Sequence, residues 1–277
     1  MDIETWIVSI IWVLAALTVV GFVVVRRWKR NRSNPVHAKL RQFMCCTTHQ
    51  NLFDNPAHQE PIRLPFVFVT QYYTAGTEHR QSEIDRCLQN NVKQDIDNVV
   101  VMTEDSADME NARSLLGDVE KVTFVNLEHR MTYFDAIDYT NKNFAGHVVM
   151  IANSDILITD EDTMAPLRNV LAWDNIVLSL LRWEETTGEI YGKGRADSQD
   201  TWIYQSPLLI PKDDCDFALG IPGCDNAISE RFHRHGYHVL NPSKTIKTWH
   251  VHSEDAERTY NANTVKVPQP YLQVHPC

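Results

Sequence analysis

The chain has 277 residues, 43% of them apolar and 22% charged, which is typical of a globular protein with one large domain or two small ones. The formal net charge of -10 and the pI near 5.6 exclude a nucleic-acid partner bound through a basic face. Six scattered cysteines without a CxxC pair predict mostly free thiols, with a disulfide or two left open if the domain is luminal.

Residues 6–25 carry no charged side chain and predict a transmembrane helix, because about 20 residues span about 30 Å of hydrocarbon. A core helix would show a polar stripe, and a signal peptide would begin with basic residues where this chain has Asp2 and Glu4. The basic residues 26–32 follow directly. By the positive-inside rule they favour a cytoplasmic position for the C-terminal domain, with the Golgi or ER lumen as the alternative.

Prolines and polar residues after the basic flank predict a stem that joins the membrane helix to one globular domain. The sequence thereby divides into an N-terminal flank (1–5), the membrane helix (6–25), a basic flank and stem (26–62), a globular domain (63–262) and a C-terminal tail (263–277).

Short apolar runs alternate with helical patterns from Leu64 onward, which predicts an α/β domain with a mixed, largely parallel sheet. The first ninety residues of the domain fit a Rossmann-like half, in which ligands bind at the carboxyl ends of the strands. Strands are predicted over 64–70, 98–105, 121–128 and 147–153, with helices over 80–92, over the dozen residues after 105 and over 132–144.

Asn153, Ser154 and Asp155 follow an apolar strand, where a carboxylate suits a divalent cation held against a pyrophosphate. The alternative is a turn Asp bonded to nearby backbone. Further along, strand periodicity places His250 and His252 on one face, where two imidazoles are able to ligate a metal together with Asp155. They could equally be surface residues of an edge strand.

The segment GIPGCDN predicts a tight turn into a helix over about 225–235 that Gly236 ends. Asp225 lies in the first turn of this helix, where it either stabilises the helix dipole or accepts a proton from a substrate hydroxyl.

Aromatic and polar residues flank a glycine-rich, charged loop, residues 186–197, between a strand that ends at Arg182 and Trp183 and one that opens with Ser198, Gln199, Asp200 and Trp202. This loop is a candidate mobile lid. Rings beside carboxylates suit sugar binding, although a Trp at a strand start is more often in the core. The candidates are Arg182, Trp183, Asp200 and Trp202.

The ordered set of QYY, RxxEIxxCLxxN, NSD, RW, SQDTWIY, GIPGCDN, NPS and WHVH, over about residues 64–260, resembles glycosyltransferases of the GT-A fold. It is most similar to small members from algae and large algal viruses. The resemblance implies a metal-dependent hexosyl- or pentosyltransferase that moves a sugar from a UDP- or GDP-linked donor to a hydroxyl of a glycan or glycoprotein. Inversion at the anomeric carbon is slightly favoured over retention.

The resemblance also implies roles for individual residues. Asn153, Ser154 and Asp155 match the DxD motif, with Asn in place of its first acid. Asp155 and either His250 or His252 would bind Mn²⁺ or Mg²⁺, and Asp225 would be the base, with Asp200 as its rival. Donor-binding candidates are Gln71, Tyr72, Arg80, Asn153 and Ser154, and acceptor-binding candidates are Arg182, Trp183, Trp202 and Asn226.

Two other functions compete with transfer. A nucleotidyltransferase would share the α/β half and the metal, but its glycine-rich basic loop is missing from QYYTAGTEHR. A membrane-tethered carbohydrate-binding protein with a degenerate site is suggested by Asn153. Metal-dependent binding of a nucleotide would separate the second alternative from an enzyme.

Overall fold

The computed structural model describes residues 63–170, 173–252 and 265–277. The predicted membrane helix, its flanks and the stem all lie outside the described residues, as do two of the six cysteines. The four described cysteines are free thiols. Among the described helices, none is long and apolar enough to cross a membrane.

Seven strands of the described chain form one mixed sheet, in the order β10-β6-β9-β4-β1-β2-β3. Only β9 runs antiparallel to its neighbours; the other pairs in this described sheet are parallel. The mostly parallel sheet predicted from the sequence is therefore confirmed. The strands are β1 Phe66–Tyr72, β2 Asn98–Thr103, β3 Val122–Asn126, β4 Val148–Ala152, β6 Ile176–Leu180, β9 Thr201–Gln205 and β10 His238–Leu240.

Helices cover both faces of the sheet, as the alternation of strands and helices predicts. They are α1 Glu78–Asn91, α2 Ser106–Leu116, α3 Tyr133–Asn143, α4 Ala165–Arg168, α5 Lys212–Cys215 and α6 Cys224–Arg234, with a π-helical turn at Asp160–Met164 and a 3-10 turn at Tyr191–Lys193. Asp105, which the sequence placed at the end of a strand, is instead the N-cap of α2, where its Oδ1 accepts the Asp108 N–H at 2.8 Å.

The central strands are buried on both faces, which explains their continuous apolar sequences. Because side chains alternate along a strand, β1 sends Phe66 and Phe68 into one core cluster and Val67 and Val69 into the other. The first cluster packs beneath α1 and the second beneath α3 and α6. These two core clusters hold the sheet in place. The candidate polar residues lie at the carboxyl ends of its parallel strands.

A small second sheet of the described chain joins short strands in the order β5-β11-β7-β8. These strands are β5 Ile156–Leu157, β7 Trp183–Glu184, β8 Glu189–Ile190 and β11 Trp249–His250. The sequence predicted a strand that places His250 and His252 on one face, whereas β11 contains only Trp249 and His250. The chain leaves the large sheet after Leu180 and pairs β7 with β11, with Glu184 opposite His250.

Candidate active site

The carboxyl ends of the parallel strands and the start of β9 meet at one edge of the large sheet. Since β9 is antiparallel to β4, Asp200 before β9 lies opposite Asn153 after β4. The Asn153 backbone N–H donates to the Asp200 carbonyl at 3.1 Å, and its side-chain Nδ2 donates to Asp200 Oδ1, also at 3.1 Å. The structure therefore brings these two predicted residues into direct contact, with the Asn153 side-chain amide as donor and the Asp200 carboxylate as acceptor.

Arg182 links the large sheet to the small one. Its Nη1 donates to both oxygens of Asp200, at 3.2 and 3.0 Å, and its Nε donates to Glu184 Oε1 at 3.0 Å. The guanidinium also lies 3.9 Å from the ring centroid of Tyr191. Because the planar guanidinium is bonded to two carboxylates and packed on an aromatic ring, it is held in one orientation. Arg182 therefore orients both Asp200 and Glu184.

His250 is held between two carboxylates. Its Nδ1 lies 3.0 Å from Glu184 Oε2, and its Nε2 lies 3.2 Å from Asp155 Oδ2. Burial opposes a charge on the imidazole, but these hydrogen bonds outweigh it and raise the pKa of His250 to about 9. Burial likewise opposes the charge on Asp155, yet His250 and Arg80 hold the pKa of Asp155 well below its usual value.

Arg80 closes the other end of this chain of contacts. Its Nη2 donates to Asp155 Oδ2 at 2.7 Å, and its Nη1 donates to Glu83 Oε2 at 2.8 Å. The side chain projects from the first turns of α1, directly beyond the end of β1. A continuous polar network consequently runs along the edge of the sheet, through Glu83, Arg80, Asp155, His250, Glu184, Arg182, Asp200 and Asn153.

Glu184 is the functional candidate that the sequence did not reveal. It pairs with both Arg182 and His250, although these residues are far apart in sequence. Its signal was the acid after RW in the segment RWEE, but only the pairing of β7 with β11 shows that this acid faces His250.

Two side-chain atoms of metal-binding type lack a partner here. Asp155 Oδ1 and His252 Nδ1 are buried and have no hydrogen-bond partner among the described residues. The rings of His250 and His252 stack with centroids 5.0 Å apart, as expected for residues on one face. A carboxylate oxygen and an imidazole nitrogen fit a divalent ion that takes its other ligands from a diphosphate. Within the described residues, no group of three or more His, Cys, Asp or Glu side chains is arranged to hold a metal.

Asp225 lies in the first turn of α6, after the left-handed Gly223 (φ 79°). Its carboxylate accepts the backbone N–H of Asn226 at 2.9 Å and that of Gln199 at 3.2 Å. Burial raises the pKa of Asp225 to about 6, and the negative charge of Asp200 adds to the effect. A carboxylate with such a pKa is suited to accept a proton near neutral pH.

Other predicted residues lie deeper than the sequence suggested. Trp202 is fully buried, and its ring packs edge-on against Tyr133 with centroids 4.9 Å apart. Its predicted contact with a sugar is not supported, because neither face of the ring is open. Tyr72 is buried at the end of β1 and donates its hydroxyl to Asp85 Oδ1 at 2.9 Å.

The remaining candidates border the network. Gln71 and Ser154 are buried at the ends of β1 and β4, and Gln71 Oε1 has no hydrogen-bond partner among the described residues. Asn226 Nδ2 donates to the Asp197 carbonyl at 3.0 Å. Trp183 is half-buried, and its indole N–H donates to the Ser243 carbonyl at 2.7 Å. Of these four residues, only Asn226 bonds to one of the two candidate acids, through its Nδ2 to Asp225 Oδ1 at 3.3 Å.

No family model matches the sequence, and the search of curated proteins finds no match. Among solved structures, the chain is similar to the mannosyltransferase PcManGT from Pyrobaculum calidifontis in complex with GDP-Man and Mn²⁺, at 15% identity and a TM-score of 0.48, covering 79% of this chain and 67% of that one. It is also similar to TarS 1-349 from S. aureus in complex with UDP-GlcNAc, at 17% identity and a TM-score of 0.45, covering 70% of this chain and 60% of that one. The ligands are those of the two named proteins.

Proposed function

We propose that the chain is a GT-A glycosyltransferase that moves a hexosyl or pentosyl group from a UDP- or GDP-linked donor to a hydroxyl of a glycan or glycoprotein. The observation that carries the proposal is the pair of carboxylates Asp155 and Asp225 at one edge of the sheet. One is held ionised by His250 and Arg80, and the other has its pKa raised to about 6. The ionised Asp155 is suited to bind a cation, and Asp225, with its raised pKa, is suited to accept a proton.

Asp155 and His252 would hold Mn²⁺ or Mg²⁺, because each presents a buried atom without a partner among the described residues. His252 is the better candidate of the two histidines, since both ring nitrogens of His250 contact carboxylates. When bound, the ion would neutralise charge on the departing diphosphate. Glu184 would then hold the His250 ring in place through its Nδ1. Gln71, Tyr72, Arg80, Asn153 and Ser154 remain the candidate contacts of the donor.

Asp225 would act as the base, with Asp200 orienting the site through Arg182. The carboxylate of Asp225 would accept the proton of the acceptor hydroxyl while that oxygen bonds to the anomeric carbon. The bond from this carbon to the diphosphate oxygen breaks in the same step, so the diphosphate leaves with the electron pair and the configuration inverts. Arg182, Trp183 and Asn226 remain the candidate contacts of the acceptor sugar.

The test is a screen of the full chain in detergent with UDP- and GDP-sugars, with and without Mn²⁺, that measures release of the nucleoside diphosphate. Asp155→Ala should abolish metal-dependent turnover. Asp225→Asn should lower the rate of transfer by about 10²- to 10⁴-fold while donor binding is kept. The matched control is Asp213→Asn, which removes an exposed acid from the first turn of α5.

Each outcome separates the proposal from its rivals. Full activity of Asp155→Ala would refute the proposed metal site. Metal-dependent nucleotide binding without sugar release from any donor would favour a binding protein, and release of pyrophosphate from a nucleoside triphosphate and a sugar phosphate would identify a nucleotidyltransferase.

We also propose that residues 6–25 anchor the enzyme in a membrane with its catalytic domain in the cytoplasm. The support is the charge pattern of the sequence, uncharged over 6–25 and basic over 26–32. Protease treatment of sealed vesicles tests the orientation. Digestion of the C-terminal domain from outside cytoplasmic-side-out vesicles is expected, whereas its protection would place the domain in the lumen.

A further inference from the structure

Residues 265–277, the C-terminal strap, cross two segments beside Asp225 and a third that follows β10. Backbone N–H groups of the strap donate to carbonyls at 2.9–3.0 Å in each case. The pairs are Val267 to Pro222, Leu272 to Asn226, Val274 to Ala196 and Cys277 to Asn241. Pro222 and Asn226 flank Asp225 in the chain, so the strap contacts both sides of the candidate base.

The two N–H groups that bind the Asp225 carboxylate belong to these same segments. Asn226 supplies one of them, and its carbonyl accepts the Leu272 N–H. Gln199 supplies the other, and its side-chain Nε2 donates to the Ala196 carbonyl at 3.0 Å, the same carbonyl that accepts the Val274 N–H. The strap therefore joins the two backbone donors that fix the carboxylate.

Side-chain packing holds the strap in place. Val267, Leu272 and Val274 are each less than one-tenth exposed. Gly223 lies so close that a Cβ at this position would be 2.6 Å from the Tyr271 hydroxyl. The positive φ favours a glycine there, and a larger residue would also have to displace the Tyr271 ring of the strap.

Arg231 is the side chain of α6 that fastens the strap. Its Nη1 donates to the Pro270 carbonyl at 2.8 Å, and its Nη2 donates to the Pro268 carbonyl at 3.2 Å. The residue is only 9% exposed, and Glu230 lies 3.0 Å from Nη1. A guanidinium satisfies two carbonyls at once through its fork, which a lysine ammonium does less well.

We propose that Arg231, acting through the C-terminal strap, is a positioning residue that holds the Asp225 carboxylate in place for proton transfer. The inference rests on the proposed function of Asp225 as the base. Arg231 is not bonded to Asp225; its hydrogen bonds go to Glu230 and to the strap, and the strap leads to the two backbone donors. Small displacements of a catalytic group reduce the rate strongly, by about 10²-fold for 1 Å.

The test compares Arg231→Met, Arg231→Lys and the control Arg234→Met in the full chain. Arg234 lies on the same helix but is exposed and pairs with the half-buried Asp214, away from the strap. Arg231→Met should lower kcat by about 10- to 100-fold with the KM for the donor within about twofold. Arg231→Lys keeps the charge beside Glu230 and thus the fold, and it should show a smaller loss of kcat. Arg234→Met should match the wild type.

Hydrogen–deuterium exchange supplies a readout that does not depend on activity. Arg231→Met should speed exchange in the segments 195–200 and 222–227, and Arg234→Met should not. Unchanged exchange would overturn the inference, and so would faster exchange with an unchanged kcat in either Arg231 variant. If the wild type transfers no sugar, the proposed function fails on its own, while the exchange data still report whether the strap fixes the Asp225 carboxylate.

Discussion

Asp155 and Asp225 occupy the same edge of one sheet, yet their surroundings differ in kind. Asp155 is bound by charged side chains, Arg80 at 2.7 Å and His250 at 3.2 Å. Asp225 is bound by backbone N–H groups and lies near a second acid, Asp200. Burial opposes the charge of both acids, and only at Asp155 do neighbouring cations outweigh it. The local partners therefore decide whether burial prevails: it raises the pKa of Asp225, and it is outweighed at Asp155.

The largest expected effect is the cost of removing the charge of Asp155. Asp155→Asn would leave Arg80 and His250 beside a neutral amide, so we expect the free energy of unfolding to fall by about 3 kcal/mol. The measurement is urea denaturation of the full chain in detergent at pH 7.5.

The control for this effect is Asp216→Asn, which removes a surface pair with Lys212 at 3.5 Å. Because exposed pairs contribute little, this variant should lose less than about 1 kcal/mol. Equal losses from Asp155→Asn and Asp216→Asn would contradict a special role for the buried pair.

The same two acids show how far the sequence alone leads. Asp155 was predicted at the end of a strand because apolar periodicity locates buried strands, and the strand does end at Ala152. His250 was expected near Asp155 only as an alternative to His252 around a metal ion, and Arg80 was expected at the donor. Their direct bonds to Asp155 could not be predicted, since these residues lie 95 and 75 positions away in the chain and no local pattern reports such pairings.

The second sheet is the clearest limit of sequence interpretation. Two-residue strands such as β7 and β11 carry no periodicity, so the pairing that brings Glu184 to His250 was not predictable. The burial of Trp202 was unpredictable for a related reason. A Trp after a polar loop looks available to a ligand, but its side chain projects into the core cluster beneath α3, where it packs against Tyr133. The sequence located the polar residues at the strand ends, but which of them bond to one another is set by tertiary contacts.

An intermediate effect is expected from the pKa of Asp225. If this carboxylate is the base, kcat/KM at saturating Mn²⁺ should fall about tenfold per pH unit below about pH 6, because the protonated acid accepts no proton. Asp200→Asn should move this limb to lower pH, since it removes a negative charge that raises the pKa of Asp225. The check is a pH profile from 4.5 to 8.5, and a limb that Asp200→Asn leaves in place would argue against the assignment.

The smallest expected effect has the opposite sign to that of Asp155→Asn. Folding raises the pKa of Asp225 from its ordinary value of 3.8 to about 6, so the folded state binds a proton more tightly and wild-type stability falls as pH rises through that window. Asp225→Asn removes the buried charge. We expect the variant to be about 1–2 kcal/mol more stable at pH 7.5, where one pKa unit corresponds to about 1.4 kcal/mol and the two backbone donors lose a charged acceptor. Denaturation at pH 4 and 7.5 is the measurement: the gain should be nearly absent at pH 4 and complete above pH 6. A loss of stability at pH 7.5 would mean that the N–H groups of Gln199 and Asn226 outweigh burial, and Asp225 would then be a structural cap of α6.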